Sequence, residues 1–167
     1  MGYMETYKAW CENEYFDEDT RAELKSIAGD EKEIEDRFYK DLEFGTGGLR
    51  GVIGNGTNRM NVYIVRKATQ GLANFIIKEG TQDKGVAISH DNRRMSREFA
   101  QEAALCLAAN GIKVYIFPSL KSVTALTSLI ICVSLGAVIW HPSSQYTLYP
   151  LYSGGLWLAV TIIPAVQ

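Results

Sequence analysis

The chain contains 167 residues, 47% of them hydrophobic, which is enough for one domain with a packed core. A formal net charge of −2 excludes the strongly basic surface with which nucleic-acid-binding proteins neutralise phosphates, so we expect no nucleic-acid partner. The cysteines Cys11, Cys106 and Cys132 lack the spacing of metal ligands, and we expect them to be packing residues. No signal-peptide pattern stands at the N-terminus, and together these features predict a reducing, cytoplasmic setting.

Charged residues divide the chain into parts. The 17 Lys and Arg residues and the 19 Asp and Glu residues all lie within residues 1–121, and residues 122–167 contain none. We therefore predict an N-terminal helical extension at 1–40, a domain at 41–121 and an uncharged, divergent tail at 122–167.

The N-terminal segment, residues 1–40, is highly charged, with apolar residues at helical spacing, as in Ile34 and Phe38. Asp17 and Asp30 are candidate N-caps, because a carboxylate accepts hydrogen bonds from the unpaired amides of a helix's first turn. This pattern predicts two or three short helices and no functional site.

Residues 44–51 read Phe-Gly-Thr-Gly-Gly-Leu-Arg-Gly and place one hydroxyl, of Thr46, and one guanidinium, of Arg50, among four glycines. Glycines let a backbone approach a ligand closely, and an arginine offers a planar fork suited to phosphate oxygens. The pattern predicts an anion site at Thr46 and Arg50, and a plain glycine-rich turn is the alternative. The spacing matches neither a P-loop nor the dinucleotide-binding fingerprint.

Helix and strand patterns alternate beyond this loop. They predict a helix from Val62 to about Gly80, a strand at 85–89, a helix capped by Ser96 and a strand at 112–117. A strand, a helix and a second strand joined by short turns form a βαβ unit, which favours a parallel sheet covered by helices. The predicted buried face of the first helix consists of Val62, Val65, Ala68, Leu72, Phe75 and Ile76.

Polar side chains follow the strand that ends at Ser89. Because ligands of parallel sheets bind at the carboxyl ends of the strands, Asp91 and Arg93 are candidates to hold an anion or to orient a loop. The alternative is a solvated turn with a surface ion pair worth less than about 1 kcal/mol.

Three motifs, in this order, resemble the α-D-phosphohexomutase family, specifically its phosphoglucomutase and phosphomannomutase group. Residues 44–51 resemble the family's N-terminal phosphate-site motif. Residues 57–61, Thr-Asn-Arg-Met-Asn, resemble the approach to its first domain helix, and residues 85–96 resemble its second strand and loop. The resemblance extends over about residues 1–120 and identifies them with most of domain I of a four-domain enzyme.

The resemblance implies an α/β fold, a three-layer α/β/α sandwich with a mixed, mostly parallel sheet after the helical extension. It also implies an enzyme that interconverts hexose 1-phosphates and 6-phosphates through a phosphoserine, with Mg²⁺ and glucose 1,6-bisphosphate as cofactors. Thr46 and Arg50 fall where the family lines the phosphoserine pocket, and Asp91 and Arg93 match a supporting loop beside it.

One departure from the family bears directly on activity. The Thr-Ala-Ser-His-Asn-Pro loop that carries the family's phosphorylated serine is absent from the sequence, as is the acidic metal-binding motif. We therefore assign no catalytic residue and no metal ligand, and we expect the isolated chain to be inactive. The alternative is a non-catalytic phosphosugar-binding or membrane-tethered module. The sequence leaves the sugar specificity and the oligomeric state open.

Several interpretations fit the uncharged tail. Residues 122–140 would form a helix about 28 Å long, close to the thickness of a bilayer core, but serines and threonines dilute the apolar run, so a membrane span is not favoured. The tail could instead complete the sheet, with a helix at 125–135 and a strand at 136–140. Natural divergence and a shifted reading frame in the encoding gene are further alternatives.

Overall fold

The structure is a computed structural model that describes residues 2–45 and 48–117, together with the backbone of residues 158–161. Thr46 and the helix and strand predicted at 125–135 and 136–140 lie outside the described residues. Within the described part, no helix has both the length and the hydropathy that a membrane span requires.

The N-terminal segment forms three short helices, α1 (Tyr3–Glu12), α2 (Glu18–Ser26) and α3 (Glu31–Phe38). The predicted N-caps are confirmed. Asp17 Oδ1 accepts a hydrogen bond from the amide of Thr20 at 2.7 Å, and Asp30 Oδ1 accepts one from the amide of Glu33 at 3.1 Å. Both carboxylates also lie at the positive end of a helix dipole, which favours their charge.

The glycine-rich octapeptide begins as an antiparallel hairpin. Strand β1 (Phe44–Gly45) pairs with strand β2 (Gly48–Leu49). Gly48 has a φ of 101°, a conformation that only glycine adopts readily. Gly48 therefore suits this position at the start of β2, and Arg50 follows β2 directly.

Helix α4 (Val62–Lys78) begins at Asn61, whose Oδ1 accepts a hydrogen bond from the amide of Ile64 at 2.9 Å. One member of its predicted buried face is wrong, because Phe75 is 57% exposed. Val65 and Ile76 are buried as predicted, and Val62, Ala68 and Leu72 are partly buried against the core. Ile64 and Ala73, which the prediction left out, are buried as well.

The predicted βαβ unit is confirmed by strand β3 (Val86–Ser89), helix α5 (Ser96–Ala109) and strand β4 (Val114–Ile116). A fourth segment, β5 (Leu158–Thr161), joins the same sheet, whose strand order is β4-β3-β5. Both β4 and β5 run parallel to β3, and α5 packs against β3, β4 and α4. These contacts establish an α/β fold, and the three-layer arrangement stays a prediction.

The start of α5 differs from the predicted one. Ser96 is the first helical residue, and the N-cap is Met95, with a left-handed φ of 63°. Ser96 is buried, and its Oγ accepts a hydrogen bond from the amide of Asp91 at 3.2 Å. The serine thus fastens the preceding loop to the helix rather than capping the helix.

The N-terminal helices share one hydrophobic core with the rest of the described chain. Trp10 stacks on Phe16 with ring centroids 4.2 Å apart, and both rings pack edge-on against Tyr63 of α4. Cys11 is also buried there, whereas Cys106 is half-buried, and both are free thiols. Cys132 lies outside the described residues.

Candidate functional site

Arg50 is exposed and lines an open hollow of about 460 Å³. Among the described residues, no hydrogen bond or ion pair holds its guanidinium. We name this cavity the Arg50 hollow. Its other charged lining residues are Lys40 and Arg59 and the acids Asp36 and Glu43.

The second arginine of the hollow, Arg59, is buried and neutralised. Its guanidinium forms an ion pair with the carboxylate of Asp36 and donates further hydrogen bonds to the carbonyls of Asp36 and Asn58, each at 3.2 Å. With its donors directed at these oxygens, Arg59 serves as part of the wall of the hollow.

Lys40 is paired as well. Its Nζ lies 3.4 Å from Glu43 Oε2, and the hydrogen bond to Glu43 raises the pKa of Lys40 above its ordinary value. Among the described lining residues, two of the three cations are thus offset by carboxylates, and Arg50 supplies one positive charge in excess. A guanidinium with free donors at the edge of a hollow can bind an anion such as phosphate through paired hydrogen bonds.

Asp91 and Arg93 lie in the loop after β3 and bind each other. Asp91 Oδ1 accepts a hydrogen bond from the amide of Arg93 at 3.0 Å, and Asp91 Oδ2 lies 3.3 Å from Arg93 Nε. The amide of Asp91 donates to Ser96 Oγ, so the loop is fixed at both ends. The carboxylate therefore orients the loop in the way that an Asx turn does.

The structure thus describes three of the four predicted site residues. Arg50 lies in the Arg50 hollow, whereas the described lining of that hollow includes neither Asp91 nor Arg93. Thr46 lies outside the described residues. The assignment of these four residues to one phosphate site stays a prediction.

The part of the chain that the structure describes contains no cluster of potential metal ligands. Among residues 2–45 and 48–117, no three His, Cys, Asp or Glu side chains cluster in a way that could hold a metal ion. The described residues therefore do not fit the Mg²⁺ that the family resemblance implies.

Sequence patterns identified neither Arg59 in the lining of the hollow nor Arg37 behind it. Arg59 meets Asp36 across 23 positions of sequence, and Arg37 meets Glu23 across 14. The only available signal was the polar run Thr57 to Asn61, which predicted the approach to a helix and did not indicate these partners.

A model of the family described as phosphoglucomutase/phosphomannomutase, alpha/beta/alpha domain I, matches residues 41–140. The chain belongs to this family. The resemblance found in the sequence motifs is thereby confirmed. The region that matches domain I of the phosphoglucomutase/phosphomannomutase family includes all four predicted site residues and continues into the uncharged segment as far as residue 140.

Curated relatives of the family give the same result. A phosphopentomutase of Pongo abelii is 32% identical over 136 residues, 74% of this chain and 22% of its own length. A phosphoglucomutase of Staphylococcus saprophyticus is 37% identical over 115 residues, 69% of this chain and 21% of its own length. A probable phosphoribomutase of Schizosaccharomyces pombe is 31% identical over 146 residues, 83% of this chain and 25% of its own length. The chain therefore spans about a quarter or less of these relatives, and no solved structure gives a significant match.

Proposed function

We propose that this chain is an N-terminal fragment of a phosphoglucomutase-like isomerase that interconverts hexose 1-phosphates and 6-phosphates through a phosphoserine. The domain I match at residues 41–140 supports the family's reaction class. The names of the relatives include phosphoglucomutase, phosphopentomutase and phosphoribomutase, so the proposed substrate class is a phosphosugar.

The observation that carries the proposal is the guanidinium of Arg50 beside the Arg50 hollow, which no described side chain pairs. Phosphoryl transfer depends on positioned cations that spread the charge of the transferring group. Arg50 supplies such a cation, and we assign Thr46, four residues earlier in the same loop, as a hydroxyl partner for phosphate oxygens. Asp91 and Arg93 are assigned a supporting role at the edge of the pocket.

The isolated chain is proposed to be inactive, because the sequence contains no Thr-Ala-Ser-His-Asn-Pro loop and hence no serine to accept the phosphoryl group. The test is incubation of the purified 167-residue chain with glucose 1-phosphate and glucose 1,6-bisphosphate in the presence of Mg²⁺. We expect no glucose 6-phosphate above the level without protein. Turnover that disappears in an Arg50→Ala variant would contradict the proposed inactivity.

The finer features of the family belong to the same proposal. For the whole enzyme we assign a three-layer α/β/α domain I, Mg²⁺, glucose 1,6-bisphosphate as a cofactor, and the cytoplasm as its location. No chemical step is derived through the metal, since the described residues offer no ligand set for it.

For the alternative of a non-catalytic phosphosugar-binding or membrane-tethered module, two observations test the membrane tether and the shifted reading frame. A membrane-tethered module requires detergent for extraction, whereas the fragment of a metabolic enzyme is recovered without it. The encoding DNA, read in all three frames, gives the second observation. Recovery of Thr-Ala-Ser-His-Asn-Pro in another frame supports the fragment and a shifted frame, and absence of the motif from every frame removes the shifted-frame explanation.

A further inference from the structure

The segment that follows Arg50 caps the C-terminal end of α3. The last carbonyls of a helix lack partners within the helix and need donors from elsewhere. The amide of Asn58 donates to the carbonyl of Arg37 at 2.9 Å, and Asn58 Nδ2 donates to the carbonyl of Asp36 at 3.0 Å. Thr57 Oγ1 donates to the carbonyl of Lys40 at 2.8 Å. Residues 51–61, which we name the brace loop, are therefore built onto the N-terminal helices.

The side chain of Arg37 joins three elements at this junction. Its Nη1 lies 2.6 Å from Glu23 Oε1 of α2, its Nε lies 2.7 Å from Glu33 Oε1 of α3, and its Nη1 also donates to the carbonyl of Asn55 at 3.3 Å. Burial lowers the pKa of Arg37, but the hydrogen bonds to Glu23 and Glu33 outweigh it, so the pKa lies above its ordinary value. A planar guanidinium that meets three acceptors at once fixes their relative positions.

Asn55 strengthens the same junction. Its Nδ2 donates to the second carboxylate oxygen of Glu23, and Thr20 Oγ1 donates to its Oδ1 at 3.4 Å. The carboxylate of Glu23 therefore holds Arg37 with one oxygen and the brace loop with the other.

The brace loop in turn fixes the backbone next to Arg50. Gly51 lies so close to Leu42 that an added Cβ would stand 2.7 Å from Leu42 Cδ1. The amide of Leu42 donates to the carbonyl of Thr57 at 2.9 Å, and the amide of Met60 donates to the carbonyl of Val52 at 2.8 Å. Contacts thus run without a gap from Arg37 to the residue that follows Arg50.

We propose that Arg37 is a positioning residue that holds Arg50 in its phosphate-binding geometry through Glu23, Asn55 and the brace loop. The inference rests on the proposed function and gives the N-terminal helices a role in the phosphate site. Arg37 lines no part of the Arg50 hollow, so it acts through the backbone rather than by touching the ligand. Binding groups lose affinity when their supporting residues leave them about 1 Å out of place.

The test compares Arg37→Met with Lys32→Met, a matched control that removes a positive charge from an exposed position of the same helix. Glucose 1,6-bisphosphate is titrated into each full 167-residue chain, and amide hydrogen exchange is followed at Asn58, Met60 and the core residue Leu107. For Arg37→Met we expect a Kd about tenfold higher than that of wild type. We also expect amide exchange to accelerate relative to wild type, by a factor about tenfold larger at Asn58 and Met60 than at Leu107. Lys32→Met is expected to match wild type in both.

Two further variants separate positioning from general stability. Arg37→Lys keeps the positive charge without the planar guanidinium and is expected to recover part of the affinity. Glu23→Gln keeps the shape of the junction and provides a milder change if Arg37→Met folds poorly. Faster exchange in all three amides alike, with an unchanged Kd in the folded protein, means that Arg37 is only structural and overturns the inference. If wild type binds and both Arg37→Met and Glu23→Gln bind equally well, the inference alone fails. If wild type does not bind, the proposed function fails with it.

Discussion

The phenol of Tyr63 in α4 donates a hydrogen bond to Asp17 Oδ2 at 2.6 Å and accepts one from the amide of Asp17 at 2.9 Å. Asp17 is also the N-cap of α2. A single side chain of the family-matched region therefore completes the cap of a helix in the N-terminal segment. Because Tyr63 also contacts the Trp10 and Phe16 rings, the N-terminal helices and α4 pack against each other in one hydrophobic core.

Replacing Tyr63 with Phe removes both hydrogen bonds and keeps the ring. We expect the free energy of unfolding to fall by about 1 to 2 kcal/mol, because the aromatic packing remains while the carboxylate and amide of Asp17 lose a partner. Urea denaturation measures the change. Tyr3→Phe is the control, since the hydrogen bond from Tyr3 to Glu31 is solvent-exposed and its loss should cost less than about 0.5 kcal/mol.

The same pair makes stability depend on acid pH. The hydrogen bond from Tyr63, followed by that from the amide of Thr20, holds the pKa of Asp17 below its ordinary value of 3.8. A carboxyl group whose folded pKa is lowered stabilises the fold above its unfolded pKa, and this contribution is lost as the pH falls through the folded pKa. We expect the acid loss of stability below about pH 4 to be smaller in Tyr63→Phe than in wild type. Parallel pH profiles in urea would show that the hydrogen bond does not set this pKa.

Gly56 is required at the junction between the brace loop and α3. Its φ is 136°, and an added Cβ would stand 2.7 Å from the carbonyl oxygen of Arg37. Gly56→Ala is expected to lower the free energy of unfolding by about 2 kcal/mol or more. Gly71→Ala is the control, because Gly71 lies on the exposed side of α4 with no atom within 4 Å of an added Cβ. That change should stabilise the protein by about 0.5 to 1 kcal/mol, and thermal unfolding of the two variants compares them.

Asn61 both caps α4 and closes the brace loop. Its Oδ1 accepts from the amide of Ile64, and its Nδ2 donates to the carbonyls of Gly54 and Gly56 at 3.0 and 2.9 Å. Asn61→Ala leaves these buried groups unpaired, and we expect a loss of about 2 to 3 kcal/mol in the free energy of unfolding. Asp30→Ala removes an exposed cap with one hydrogen bond and is expected to cost about 1 kcal/mol. Equal losses in the two variants would contradict the double role of Asn61.

Local signals predicted most of the elements. The N-caps at Asp17 and Asp30 depend on residues three positions away, and Gly80 and Gly111 end their helices with left-handed φ values of 64° and 73°. Strand β4 is shorter than predicted, because the amide of Ile112 bonds to the carbonyl of Leu107 in the preceding helix instead of joining the sheet. Each of these features depends on residues that are close in sequence.

Contacts between different elements of the fold could not be predicted in this way. Ser96 has the residue type of an N-cap, but the fold uses its hydroxyl for the amide of Asp91 and leaves Met95 at the cap. The neutralisation of Arg59 depends on Asp36, and the brace loop depends on Arg37, each on another element of the fold. The sequence therefore predicted Arg50 as a cation in a glycine-rich loop but not the hollow beside it.

The assignment of Arg50 to a phosphate site is tested by calorimetric titration of glucose 1,6-bisphosphate into the 167-residue chain, as wild type, Arg50→Ala and Lys78→Ala. Lys78 lies at the opposite end of α4 from Asn61, so its variant controls for the loss of one positive charge. We expect binding by wild type, an affinity at least about tenfold weaker in Arg50→Ala and unchanged binding in Lys78→Ala. Equal affinities of wild type and Arg50→Ala, or no binding by wild type, would contradict the assignment of Arg50 to a phosphate site.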